Sequence, residues 1–473
     1  MAITRFAPSP TGYLHIGGLR TALYSYLWAK KTKGEFKLRI EDTDAARNSE
    51  DAVKAIIEAF DWTGMDSDCK IEYQSKRFDI YSKYVKQLLD EGKAYKCYMS
   101  RDELDALREK QMAAKITTRY DGTWRPEDGK VLPSIPDGLE PVIRIKAPTD
   151  EMIEFEDGVK GSMKFTADQV DDFVIARSNG APTYNFVVAI DDALMGMTDV
   201  LRGDDHLSNT PKQIVVYKLL GFDIPKFYHI PMINNPSGKK LSKRDGAMDV
   251  MEYKRLGYLP EALLNFLVRL GWSHGDQEIF SMEEMLELFD PSNINKSASA
   301  YNTEKLNWLN AHYIKNVSND RLAEDLKFHD CDIHGHDKKE MVLDLCKERV
   351  NTLVELKDAI SNILTVPSSY EKKGVKKFIK ETTYDMLNSY VSLLNSPENE
   401  LHLACDIESI TKPFIVENGL KFPQLFQPIR IALTGGTQAP SVYDVIAILG
   451  VEETIKRINI AIEKNFDKEV SND

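Results

Sequence analysis

Two stretches of this chain place residues that could hold and act on a bound anion. Near the start, "APSPTGYLHIGG" (7–18) sets His15 just ahead of Gly17 and Gly18. Far downstream, "NNPSGKKLSKRDG" (234–246) carries Lys240, Lys243 and Arg244 in a polar, turn-rich run. Glycines at the opening of a helix let backbone N–H groups and the helix dipole face an anion at close range. His15 can donate to a phosphate oxygen. A flexible loop can swing its cations onto a triphosphate and stabilise the charge that builds as pyrophosphate departs. Taken separately, each stretch has a plainer reading: a tight turn without a ligand, and a solvated basic loop.

The flanking text supplies the scaffold. "ITRF" reads as a strand and "LRTALYSYLWAKK" as a helix, so the first loop is a strand-to-helix connection. "EFKLRIED" and then "SEDAVKAIIEAFDWTG" repeat strand and helix, the βαβα pattern of a parallel sheet. Helices and a proline-rich stretch of short strands follow, to about residue 160. The strand pattern returns in "TYNFVVAIDD", "DVLRGDDH" and "KFYHIPMIN". The simplest account is an α/β fold: one Rossmann-like parallel sheet interrupted by an insertion. Beyond Arg244 the strands fade and helical periodicity takes over, so the C-terminal half reads as all-helical.

Composition sets outer bounds. A chain of 473 residues with 42% hydrophobic content describes a globular protein of several domains. No apolar run approaches the roughly 20 residues of a membrane-spanning helix, and the N-terminus lacks the pattern of a signal peptide. Five scattered cysteines suit reduced thiols in a cytoplasmic protein. The net charge of −13 weighs against a dedicated nucleic-acid binder, although local basic stripes decide that question.

"HIGG" after "APSPTGYL", paired with "KLSKR", resembles the two signatures of class I aminoacyl-tRNA synthetases. "LRIEDTD", "PTYNFVVAIDD", "DVLRGDDH", "KKLSKRDGA" and "GYLPEALLNFLVRLGWSHGDQEIF" are similar to bacterial-type glutamyl-tRNA synthetases, and the resemblance spans essentially the whole chain. It implies a ligase that uses ATP with Mg2+ to form glutamyl-adenylate and then loads tRNA(Glu). It also implies tRNA bound before activation, and a monomer. Five segments follow from it. Residues 1–77 and 181–245 form the two halves of the Rossmann catalytic domain. Residues 78–180 form an inserted acceptor-binding domain and 246–310 a helical stem-contact domain. Residues 311–473 form an anticodon-binding region with a division near 370.

The resemblance also assigns residues. His15, Gly17, Gly18, Asp205, Ile233, Lys240, Leu241, Ser242, Lys243 and Arg244 fall where the family contacts ATP, with His15, Lys240 and Lys243 catalytic. Arg5, Phe6, Ala7, Ser9, Glu41, Tyr184 and Arg202 fall in the glutamate pocket. Arg5 and Arg202 end strands, which in a parallel sheet brings both to one crevice. Arg119 and Trp124 are candidate contacts to the acceptor end; Arg349, Arg430, Thr434 and Gln438 are candidates on the anticodon side. Some relatives carry a zinc knuckle in the insert. Here Cys97 is the one ligand found where four are needed, so no zinc is expected. "CDIHGHD", with Cys331, His334 and His336, is a rival metal candidate whose plainer reading is an exposed loop.

Several readings compete with tRNA(Glu) charging alone; a small nucleotidyltransferase and a shortened glutamyl transferase that modifies a tRNA base are disfavoured because both lack a helical C-terminal half of this size. A non-discriminating form would also load tRNA(Gln). A catalytically silent RNA-binding relative is opposed by the intact His15, Lys240 and Lys243. Glutaminyl-tRNA synthetase is disfavoured by Arg5, where a neutral side chain is expected.

Overall fold

The computed structural model describes residues 1–44, 48–239, 241, 248–438 and 440–467. The chain divides into two compact units, Met1–Tyr253 with Leu263–Thr303, and Lys254–Ala262 with Glu304–Asp473. Among the described residues no helix is long and apolar enough to cross a membrane.

In the first unit, β1 (Ile3–Phe6), α1 (Ile16–Lys31), β2 (Glu35–Ile40), α2 (Glu50–Thr63) and β3 (Glu72–Tyr73) alternate. α3 (Phe78–Asp90), β4 (Ala94–Cys97), α4 (Arg101–Ala113), β5 (Val142–Ile145), β6 (Ile153–Asp157), β7 (Gly161–Phe165) and β8 (Val174–Ala176) come next. α5 (Tyr184–Leu194), β9 (Asp199–Gly203), α6 (Thr210–Leu220), β10 (Lys226–Ile230), β11 (Ile233–Asn234) and β12 (Ser299–Ala300) follow. The stretch "TYNFVVAIDD", read above as a strand, is the helix α5; it buries seven consecutive residues, Phe186–Asp192, so its unbroken apolar run carries no period that separates a buried helix from a buried strand.

β1, β2 and β3 are parallel neighbours, with Arg5 opposite Lys37 and Ile40 opposite Tyr73. α1 buries Ile16, Leu19, Leu23 and Leu27, spaced three and four apart on one stripe. A second sheet runs β7–β6–β10–β9. The two sheets meet where the Thr198 N–H donates to the Ile3 carbonyl (3.0 Å) and the Ile3 N–H to the Thr198 hydroxyl (2.9 Å). β1 therefore lies between β2 and the later strand β9. The strand order reverses there, and at such a switch point an open α/β sheet forms a crevice at the carboxyl ends of its strands.

β4, β5 and β8 form a separate antiparallel sheet. The β6–β7 hairpin lies within 78–180, the stretch read as an insertion, yet β6 pairs with β10 and extends the sheet of β9. Short strands in a proline-rich stretch do not announce which sheet they join. Residues 263–303 cluster with the first unit.

The second unit is helical, with a core including Leu326, Leu343, Leu356, Ile360, Leu425, Ile429 and Ile458, all at most 2% exposed. Arg457 is buried in it. Its guanidinium donates to the carbonyls of Ile363 and Leu433 (each 2.8 Å) and Leu364 (2.9 Å), at the C-terminal ends of helices Leu353–Leu364 and Phe422–Thr434. A cation there satisfies orphan carbonyls and opposes the two helix dipoles. This contact joins segments on both sides of residue 370.

Candidate active site

The corner before α1 is built by a histidine cap. His15 is the N-cap residue, and its Nδ1 accepts from the Gly18 N–H at 3.2 Å. An imidazole accepting at Nδ1 carries its proton on Nε2 when neutral. The glycines make this possible sterically. A Cβ on Gly17 would lie 3.0 Å from the His15 ring, and one on Gly18 would lie 2.7 Å from Leu14. The sequence reading gave both glycines to an anion; here the Gly18 N–H is engaged by His15, and its missing side chain makes room for Leu14.

Of the cationic stretch, Leu241 is described, while Lys240, Ser242, Lys243 and Arg244 lie outside the described residues. The chain entering it is held by Leu241, whose N–H donates to the Ile233 carbonyl at 3.2 Å. The chain leaving it is tied to the histidine corner: Asp249 bridges His15, and the Val250 N–H donates to the Leu14 carbonyl at 2.8 Å. Asp205 is exposed in the turn after β9, its carboxylate folded over the Gly203 backbone.

The crevice holds a buried ionic cluster. Arg5 donates from Nε and Nη2 to Asp192 at 3.0 and 3.2 Å. Arg39 donates to Asp192 at 2.6 Å and to Glu41 at 3.1 Å. Asp191 takes Arg77 (2.8 Å), Gln74 (2.9 Å) and the Tyr81 hydroxyl (2.7 Å). Burial alone would raise the Asp192 carboxyl; Arg5 and Arg39 outweigh it and hold it below the usual carboxylate range. Glu41 goes the other way: burial raises its carboxyl further than Arg39 lowers it. Arg39, Asp191 and Asp192 escaped the sequence reading. The signal was the length of the apolar run "NFVVAIDDALM": a helix buried on every side, as α5 is from Phe186 to Asp192, takes both acids out of water, and buried acids need cationic partners.

Arg202 differs from Arg5. It is 5% exposed, and its partners are His229 (3.1 Å), Gln213 (2.8 Å) and the Thr210 hydroxyl (2.7 Å). Among the described residues no carboxylate is paired with it. Burial lowers its guanidinium from the ordinary value, and the positive charge of Arg5 adds to the effect. The Tyr184 hydroxyl lies 3.0 Å from His206 Nδ1. Tyr184 is 37% exposed, but the walls around its hydroxyl still raise the phenol above its ordinary range, with Glu41 adding and Arg202 and Arg5 opposing, so the group stays protonated. Phe6 turns its ring onto Phe60 (5.8 Å), so its backbone is what it offers the crevice. Ala7 is half-buried and Ser9 exposed, and the loop is tied to the end of β2 by the Glu41 N–H on the Pro8 carbonyl (2.9 Å). Arg5, Glu41, Tyr184 and Arg202 thus gather where β1, β2 and β9 end and α5 begins.

The inserted stretch needs a correction. Trp124, a candidate contact to the acceptor end, is 7% exposed and packs on Tyr98 at 5.1 Å beside Tyr95, Cys97 and Tyr120. Arg144 stacks on Tyr120 at 3.9 Å and donates to Cys97 Sγ at 3.4 Å. A guanidinium against the thiol repels a metal cation, so these residues do not fit the zinc knuckle of relatives. Arg119 is exposed, its backbone anchored to Gln111 by hydrogen bonds of 2.9 Å. Cys331, His334 and His336 do not converge. His334 turns to Asp332 (3.3 Å), and His336 accepts from the Lys338 N–H (3.1 Å).

In the second unit Arg349 is exposed and Arg430 half-buried. Burial lowers the Arg430 guanidinium, and the positive charge of Arg349 lowers it further. Arg430 donates to the Pro440 carbonyl at 3.3 Å, and its Nε has no hydrogen-bond partner. The Thr434 hydroxyl is turned back onto the Arg430 carbonyl (2.9 Å), and Gln438 is exposed.

Comparison with known proteins agrees along the whole chain. Residues 1–308 match the catalytic domain of class I tRNA synthetases (E and Q), and residues 297–462 match the anticodon binding domain family. Glutamate–tRNA ligase 1 of Aliarcobacter butzleri is 74% identical over 466 residues, 98% of this chain and 99% of the relative. Glutamate–tRNA ligase 1 of Sulfurovum sp. is 62% identical, covering 98% of this chain and 99% of the relative. A crystal structure of a glutamate tRNA ligase from Elizabethkingia meningosepticum, in complex with its amino acid, superimposes with a TM-score of 0.87 at 33% identity, covering 98% of this chain and 99% of that one. With its doubly matched sequence, its switch-point crevice and its helical C-terminal half, the chain belongs to the class I tRNA synthetases, as a ligase of the glutamate–tRNA ligase family.

Proposed function

We propose that this chain loads glutamate onto tRNA(Glu) in two steps. In the first, an α-carboxylate oxygen of glutamate attacks the α-phosphorus of MgATP, the bond to the leaving phosphate breaks, and glutamyl-adenylate and pyrophosphate form. In the second, a terminal ribose hydroxyl of tRNA attacks the activated carbonyl and AMP leaves. His15, Gly17 and Gly18 line the nucleotide corner with Asp205 and the backbone of Ile233 and Leu241. Lys240, Ser242, Lys243 and Arg244 close on the phosphates, Lys243 stabilising the departing charge. Arg5, Phe6, Ala7, Ser9, Glu41, Tyr184 and Arg202 hold the amino acid. The insert takes the acceptor end, and Arg349, Arg430 and Gln438 face the anticodon. The chain works as a monomer in the cytoplasm.

The observation that carries the amino-acid assignment is Arg202, a buried guanidinium whose partners are all neutral. A side-chain carboxylate supplies the missing counter-charge. Glutamine in the same place leaves Arg202 without one, and an unpaired buried charge costs about 3–5 kcal/mol, roughly a hundred- to a thousand-fold or more. The test is aminoacylation of purified tRNA(Glu) and tRNA(Gln) with either amino acid. Charging of tRNA(Glu) with glutamate, and a steep loss of glutamate affinity in Arg202→Gln, are expected. Charging of tRNA(Gln) as well would establish the non-discriminating form. Failure to charge either would leave an RNA-binding relative and overturn the reading. Lys243→Ala should lose most of its rate while keeping tRNA affinity.

A further inference from the structure

Arg202 is held by a polar chain that reaches away from the crevice. Asp157 ends β6, and its Oδ1 accepts from the N–H groups of Lys160 (2.8 Å), Val159 (3.0 Å) and His229 (3.2 Å). Its Oδ2 lies 2.5 Å from His229 Nδ1. The turn can sit this close to β10 because residue 158 is glycine; a Cβ there would overlap the Tyr228 ring. His229 is fully buried, and its Nε2 meets Arg202 Nε at 3.1 Å and the Thr210 hydroxyl at 3.0 Å.

Donor and acceptor roles along this chain are forced. Arg202 Nε can only donate, so His229 Nε2 must accept. The imidazole proton then sits on Nδ1, pointing at Asp157, whose carboxylate can only accept. Asp157 thereby fixes the tautomer of His229, and His229 fixes the rotation of the Arg202 fork. Gln213 and Thr210, both on α6, take its two terminal nitrogens. We infer that Asp157 and His229 are a positioning pair that sets the Arg202 guanidinium for the side-chain carboxylate of the amino acid, and so contribute to the choice of glutamate over glutamine. This rests on the reading of Arg202 proposed above. Neither residue touches the substrate; both act through Arg202.

A merely structural role would lower stability and leave substrate selectivity alone, so the test measures selectivity. Steady-state aminoacylation is run with Arg202→Gln, His229→Leu, His229→Gln and Asp157→Asn, recording kcat and the KM values for glutamate, ATP and tRNA. His229→Leu and Asp157→Asn should raise the KM for glutamate by roughly tenfold or more, the scale of a hydrogen bond to a charged group, with the KM for ATP unchanged. His229→Gln, which can accept from Arg202 and donate to Asp157 through one amide, should recover much of the loss. If Arg202→Gln leaves the glutamate KM unchanged, the pocket assignment itself is wrong. If Arg202→Gln raises it while His229→Leu and Asp157→Asn do not, the positioning inference alone fails. Should His229→Leu not fold, Asp157→Asn and His229→Gln decide the matter: an unchanged glutamate KM in Asp157→Asn overturns the pair.

Discussion

Arg5 lays its Nε and Nη2 on the two carboxylate oxygens of Asp192, at 3.0 and 3.2 Å, with both side chains at most 5% exposed. The same carboxylate also takes Arg39. Asp192→Asn keeps the shape and removes the charge, leaving two buried guanidiniums short of a partner. Breaking a buried pair from one side costs about 3–5 kcal/mol. The expected result is a lower urea midpoint for the transition that includes the first unit. A variant within about 1 kcal/mol of the parent would mean the cluster is solvated and screened.

His229 makes stability depend on pH. Burial lowers its imidazole from the ordinary value; Arg202 lowers it further, and the hydrogen bond to Asp157 opposes both without winning. The charged and titratable groups acting on it are Asp157 from β6, Arg202 from β9, and Asp204 and His206 from the turn after β9. Its folded value lies below its unfolded value of about 6.5. Between those two values the unfolded chain binds more protons, so stability rises with pH there. Its contribution is fully present above about pH 6.5 and is lost as pH falls through the folded value. Melting temperatures followed from neutral to mildly acidic pH should therefore fall, and fall less in His229→Gln. Equal slopes in the two proteins would assign the loss to other groups, His206 and His329 first, since burial lowers both.

What was legible in the sequence was what sits at strand ends. The α/β class, the crevice and the gathering of Arg5, Glu41 and Arg202 follow from alternating strand and helix text, because a parallel sheet sends its carboxyl ends to one side; Tyr184 joins them from the first turn of α5, in a stretch that reads as a strand. The buried supports were not legible. Asp157 sits in a short strand with no mark of the sheet it joins, and His229 lies in "KFYHIP", where a histidine reads as one more core residue. Their significance comes from hydrogen bonds between β6, β9 and β10, which are far apart in the chain. Trp124 was misread for the opposite reason. Its neighbours in sequence are polar and exposed, while its neighbours in space are Tyr98, Cys97 and Tyr120.

The position of Trp124 gives a discriminating test of that correction. A tryptophan stacked on a base loses about 1–3 kcal/mol of RNA affinity on truncation and leaves folding intact. A tryptophan in a core loses about 3–5 kcal/mol of stability. Trp124→Ala should show the second signature, with faster hydrogen exchange through β4 and β5. Prolonged chelation should leave the parent's exchange there unchanged, because Arg144 and Tyr120 occupy the Cys97 thiol. Normal exchange in Trp124→Ala with weakened tRNA binding would restore the stacking role.

Arg349 and Arg430 give a test with opposite signs for stability and function. The charge of Arg349 bears on a half-buried Arg430 whose Nε has no partner, and neither guanidinium is paired with a carboxylate among the described residues. Like charges held together this way oppose folding, so Arg430→Gln should leave the melting temperature unchanged or raise it. Retaining such a pair makes sense where a polyanion neutralises it. The same substitution should then weaken tRNA binding by about 1–3 kcal/mol if Arg430 contacts a base edge, with the salt dependence preserved. If it contacts a phosphate, the slope of log affinity against log salt should shrink by about one unit. Melting curves and filter-binding titrations at several salt concentrations separate these outcomes. A variant that loses stability and keeps full tRNA affinity would make the two arginines structural, and the anticodon surface would have to be sought elsewhere on the second unit.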